Sequence, residues 1–256
     1  MQLAVATEAQ RRRAGRPRLR PASNAGVPPR AEILDAAAEL FAAQGLAATT
    51  TRQIADRVGI RQASLYHHFG SKDEMLLELL TLSVRPSLQA AAALEARCAS
   101  CPAAGLYALA LTDARTLTRA PHNIGTLYLL PEAQGPEYES FRSERAELQA
   151  SYARMGRACT GDASLDEALT GALIMQVVES VIQLRRTGEW DCAYAPAIAA
   201  SCLRLVGLSP TEVTRARAAA EGLIAALPAT APDSRLAQPG PGRAVQPSRP
   251  AGADDS

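Results

Sequence analysis

Arg61, Gln62 and Ser64 stand within four residues of one another, and each carries a group able to bond the edge of a base. An arginine can give two donors to a guanine, and a glutamine can bond an adenine in the same two-pronged way. Ala63 lies between them and shares their surface. Thr50, Thr51, Tyr66, His67 and Lys72 flank the group and suit phosphate oxygens, contacts that position a protein without reading sequence. Lys72 is the only lysine in the chain. It falls at the start of a helix, where the backbone dipole also favours an anion.

The elements that must hold these side chains can be read around them. Thr50 with Gln53 forms a capping box that starts a short helix. Ile54, Val58, Ile60 and Leu65 supply apolar contacts, and Ala55 lets two helices cross closely. Gly59 ends the first helix, since it takes a positive φ at no steric cost. A second short helix runs from Arg61 to about His67. Ser71 with Glu74 reads as another capping box. Ahead of the pair, a helix opens after Pro28-Pro29, puts Ile33, Ala37, Leu40 and Phe41 on one face, and ends at Gly45, with Leu46 folding back. Two short helices joined by a tight turn form a helix-turn-helix, which lays one helix in a major groove. The bland alternative is an ordinary αα-hairpin in which Tyr66 and Phe69 are core aromatics.

The run Ile54-Ala55-(x3)-Gly59-Ile60-(x4)-Leu65-Tyr66-His67-His68-Phe69-(x2)-Lys72-(x2)-Met75-Leu76 resembles the DNA-binding domain of the tetracycline-repressor-like (TetR/AcrR) family of bacterial transcription regulators. The likeness covers about Arg30 to Leu80. One departure is Arg61, where the family often has Ser or Thr. The resemblance implies an all-α chain: a three-helix DNA-binding domain followed by a larger helical domain. It also implies a homodimer joined by the last two long helices, and an effector cavity between the middle helices whose filling tilts the fourth helix.

Charge agrees with a DNA-binding end. The net charge of the 256 residues is only +1, yet residues 1–30 hold arginines 11, 12, 13, 16, 18, 20 and 30 against one acid, Glu8, and the helix-turn-helix adds Arg52, Arg57, Arg61 and Lys72. Ala14-Gly15-Arg16-Pro17-Arg18 resembles the core of minor-groove AT-hook segments, so Arg16 and Arg18 join the DNA-contact candidates beside the plain reading of a solvated tail. The absence of an unbroken run of eighteen apolar residues argues against a membrane span, and the lack of an apolar segment near the start argues against a secretory signal, so a cytoplasmic location is expected. The five cysteines are an odd set. Cys98-x-x-Cys101 lacks further ligands for zinc and reads as structural, with a thiol switch as the alternative. No metal or cofactor is expected, and no nucleophile and base converge as an enzyme would need.

Four regions are expected: an Arg-rich arm over 1–28, the helix-turn-helix domain over 29–76, an effector-binding and dimerisation domain over 77–227, and a Pro/Gly-rich tail over 228–256. The fourth helix is expected to run from Lys72 to about Val84 and stop before Pro86. Further helices are expected near 86–98, 103–119, 123–130, 137–158, 164–187, 194–206 and 210–226. Leu165 to Leu184 is apolar around most of its circumference, which demands burial on two sides. With Ala195–Val206 it would make half of a four-helix bundle across a two-fold axis. His122, Asn123, Tyr128 and Glu132, near the proline breaks, and Tyr107, Tyr138 and Phe141 are candidates for the effector cavity. The sequence thus points to a dimeric regulator, more a repressor than an activator, that binds a palindromic operator in double-stranded DNA and answers to a small molecule. The alternatives are a redox-responsive regulator through Cys98/Cys101 and a non-specific architectural DNA binder.

Overall fold

The computed structural model describes residues 29–128, 130–160, 166–188, 191 and 193–227. Arg16, Arg18 and the rest of the arm, Cys192 and the tail lie outside them. The described residues form α-helices and short 3-10 turns, without strands. The helices are α1 (Pro29–Ala48), α2 (Thr51–Val58), α3 (Gln62–Tyr66), α4 (Lys72–Glu95), α5 (Pro102–Arg119), α6 (Glu139–Thr160), α7 (Glu167–Thr187), α8 (Tyr194–Leu205) and α9 (Pro210–Ala225).

The head is built from α1, α2, α3 and the start of α4. Ile33, Ala37, Phe41, Ile54, Leu65, Phe69, Met75 and Leu76 are all fully or nearly fully buried and close its core. Regular α1 geometry breaks at Gly45, and Leu46 packs inward as the spacing suggests. The Thr50–Gln53 capping box forms in both directions: the Thr50 amide donates to Gln53 Oε1 at 2.8 Å and the Gln53 amide to Thr50 Oγ1 at 3.2 Å. Gly59 takes φ 77°, and the Ile60 amide then reaches back to the Ala55 carbonyl at 3.0 Å, closing the end of α2. At α4 only half of the expected box appears. Ser71 Oγ accepts from the Glu74 amide, but the Glu74 carboxylate accepts from Gly70 rather than from Ser71.

The body departs from expectation in three places. First, α4 does not stop before Pro86 but runs through it to Glu95. Ser87, Ala90, Ala91 and Leu94 beyond the proline are buried, so packing carries the helix across a position that supplies no N–H. Second, the helices expected near 123–130 and at the start of 137–158 are replaced by 3-10 turns over Ile124–Leu127, Pro131–Gln134 and Pro136–Tyr138, because the prolines fragment that stretch. Third, α7 is, by length and mean hydropathy, the one helix among the described residues that could cross a bilayer. Unbroken apolar runs did not reveal this hydropathy, yet a buried core helix has the same length and composition, so the expectation of no membrane span is not overturned. In the fold Ile174, Val178 and Val181 of α7 are fully buried. A Cβ at Gly171 would come within 2.6 Å of the Gln149 carbonyl oxygen of α6, so the backbones of α6 and α7 meet closely there.

Candidate nucleic-acid interface and effector cavity

The turn between α2 and α3 presents its polar residues outward. Leu65 is fully buried and anchors α3, while Arg61, Gln62, Ala63, Tyr66 and His67 are exposed, with Tyr66 at 50%. Ser64 is half-buried and Thr50 exposed. Arg61 is the N-cap of α3 and makes no capping bond, so its guanidinium stands free beside the first turn. Gln62 Nε2 donates to Thr51 Oγ1 at 2.8 Å, and Thr51 Oγ1 lies 3.2 Å from the Tyr66 hydroxyl. These three side chains hold one another in place on the outer surface.

Several cations counted toward DNA in the sequence have internal work. Arg30 donates to the His68 carbonyl at 2.5 Å, pairs with Glu78 and lies 4.0 Å over the Phe69 ring. It fastens the start of α1 to the end of the reading turn. Arg57 forms a two-pronged pair with Glu39 at 2.7 Å. Lys72 has internal work as well. Its ammonium donates to the Leu46 carbonyl at 2.8 Å and to the Thr49 carbonyl at 2.6 Å, capping the end of α1. Two of its three protons are thus spent within the head, so it is a clamp before it is a phosphate contact.

A cavity of about 260 Å³ does not lie where the aromatic candidates suggested. It sits between α1, the Pro86 turn of α4, and the corner where α5 meets the first 3-10 turn. Ala38, Leu79, Leu82, Pro86, Leu117 and Ile124 provide apolar walls, and Asp35, Arg85, Arg119 and His122 stand among its polar lining. Of the seven candidates only His122 lines it, with Nε2 3.1 Å from Asp35 Oδ1. The others hold the fold. Tyr128 bonds Ser83 at 2.8 Å and packs on Phe141 at 5.5 Å between ring centres. Tyr138 donates to Asp73 at 2.8 Å, and Asn123 donates to the Ile182 carbonyl at 2.8 Å. Tyr107 is buried on α5, and Glu132 sits half-buried in a 3-10 turn. Pro86 was the available signal for this cavity: a proline inside an apolar-patterned stretch.

One buried acid also escaped the sequence reading. Asp113 of α5 accepts from Ser87 of α4 and from Tyr152 of α6, at 2.7 and 2.8 Å. Burial pushes its carboxyl up to about 6, against the pull of those two bonds. Arg145 and Glu179 pair at 2.6 Å close enough to be felt there. A lone acid in the apolar run Leu106–Leu117 would have been a sufficient hint. Burial likewise pushes the Cys98 thiol up to about 11, with the neighbouring Cys101 adding to the effect. That environment disfavours a reactive thiolate. The described cysteines Cys98, Cys101, Cys159 and Cys202 are free.

A short exposed reading helix on a small helical head, joined by one long helix to an all-α body, defines a helix-turn-helix regulator. Residues 33–79 match the model of the tetR family of bacterial regulatory proteins. The crystal structure of AmtR from Mycobacterium smegmatis is 38% identical, with a TM-score of 0.70, over 78% of this chain and 97% of that one. The chain belongs to the tetR family. The transcriptional repressor KstR2 of Mycobacterium tuberculosis is 61% identical over 51 residues, which span 20% of this chain and 26% of that repressor. The structure of that ketosteroid transcriptional regulator aligns at 26% identity and TM-score 0.53, over 73% of this chain and 96% of its own.

Proposed function

We propose that the chain is a cytoplasmic, homodimeric repressor that binds a palindromic operator and is released or modulated by a small-molecule effector. The observation that carries this reading is the outward, acid-free presentation of Arg61, Gln62 and Ala63 on a helix anchored by buried Leu65. Arg61 and Gln62 read base edges, Ser64 adds a weaker contact, and Thr50, Thr51, Tyr66 and His67 meet the backbone. Lys72 adds its remaining donor at the N-terminus of α4, and Arg16 and Arg18 enter the adjoining minor groove. Two heads spaced by about 34–36 Å would engage successive major grooves.

Dimerisation is assigned to α7 and α8. Leu169 and Leu173 share one face of α7 with Gln176 and Gln183, and they are 58% and 44% exposed. Leu205 of α8 is exposed at 42%. A four-helix bundle across a two-fold axis would cover these residues. Selection of bound fragments from random duplex DNA tests the reading: it should return a palindrome. Arg61→Ala should relax the preference at a single position of each half-site, at a cost of about 1–3 kcal/mol. Equal affinity for selected and random duplexes would refute it in favour of a non-specific binder.

A further inference from the structure

The cavity at the head–body junction has three properties that together specify a ligand. Its walls are apolar, and Leu82, 39% exposed, is held open to it rather than packed away. Its two arginines differ. Arg85 is taken by Glu144, with Nη2 2.9 Å from Oε1, whereas Arg119 is exposed and pairs with no acid among the described residues. Its volume of about 260 Å³ lies just below the range of drug-sized sites, roughly 300–1,000 Å³, and so suits a slender ligand. An apolar pocket with one guanidinium free of acid partners, and with the Asp35 carboxylate of its lining engaged by His122, fits a medium-length aliphatic chain ending in a carboxylate.

The position of the cavity says what filling it would do. Pro86 has no N–H to give the Leu82 carbonyl one turn earlier, so α4 is missing a rung between two residues that both line the cavity. The opposite wall belongs to α1 of the head, and the His122–Asp35 bond crosses from the corner to α1. A ligand there touches the head, the weak point of α4 and the corner at once.

We propose that this junction cavity binds a medium-chain aliphatic carboxylate, its tail against Leu79, Leu82 and Leu117 and its carboxylate on Arg119, and that occupancy sets the direction of α4 at Pro86. The inference rests on the reading of the chain as an effector-responsive regulator and names the class of effector and its place. The test is calorimetric titration of the full chain with octanoate and with octan-1-ol, repeated on Arg119→Gln and Leu82→Arg, with circular dichroism to verify that each variant folds. Octanoate should bind one per chain, about tenfold more weakly to Arg119→Gln, and not to Leu82→Arg; octanol should be indifferent to Arg119→Gln. Both positions are exposed, so folded variants are expected. No octanoate binding, or equal binding to the parent and Arg119→Gln, overturns the site. Octanoate that binds while operator affinity stays constant overturns the coupling. A selected palindrome bound by a chain that ignores octanoate sinks this inference alone; octanoate binding without any duplex preference sinks the repressor reading instead.

Discussion

Residues in this chain divide sharply into those that face outward with free donors and those tied down. Lys72 belongs to the second group, and Lys72→Ala should cost the head about 1–3 kcal/mol through loss of two charge-assisted bonds to carbonyls at the end of α1. Urea denaturation measures this; unchanged stability with weaker DNA binding would return Lys72 to a purely phosphate role. Asp113 makes a second residue-scale prediction. Its proton is held more tightly in the folded chain than in the unfolded one. Its contribution is therefore greatest below the ordinary carboxylate value and is lost as pH rises through about 6. The loss is on the order of 3 kcal/mol. Asp113→Asn cannot ionise, so its stability relative to the parent should rise between pH 4 and 6 and then level off. Parallel stability curves for the two proteins across that window would contradict the assignment.

At the scale of elements, α4 is the one on which the rest depends, since it begins in the head and is buried in the body. Pro86→Ala would restore the missing rung, and a helix interior generally gains from that exchange, here by about 1–3 kcal/mol. The variant should unfold at higher denaturant and show an operator affinity less responsive to octanoate. A drop in stability would mean that the proline ring packs too well in the cavity wall to be spared. The short elements of the head were legible from their own residues, because caps such as Thr50 and Gly59 act within one turn of chain. The full length of α4 was not. A proline is a local stop signal, and what overrode it was the burial of Ser87, Ala90 and Leu94 by helices distant in sequence. The cavity was hidden for the same reason. Its walls come from α1, α4 and α5, and no spacing within one helix reports that they meet. Two aromatics that drew notice as ligand contacts turned out to brace the fold, since a buried tyrosine needs a partner for its hydroxyl: Tyr128 finds it in Ser83 and Tyr138 in Asp73.

For the whole molecule, the proposed assembly rests on the exposed leucines of α7. Leu173→Glu should place a charge on the proposed two-fold face, shift sedimentation toward the monomer, and weaken operator binding far more than binding to a single half-site. An unshifted sedimentation coefficient would move the interface elsewhere. The same helix also reaches the junction cavity from behind. Arg185 of α7 donates to the carbonyls of Leu117 and Ala120, and Asn123 at the corner donates to the Ile182 carbonyl of α7. Leu117 and Ala120 are themselves part of the cavity lining. An event in one subunit would thus tug on the helix proposed to pack against its twin. Two chains wired in this way would not saturate independently, and a Hill coefficient different from one would be the signature of that conversation.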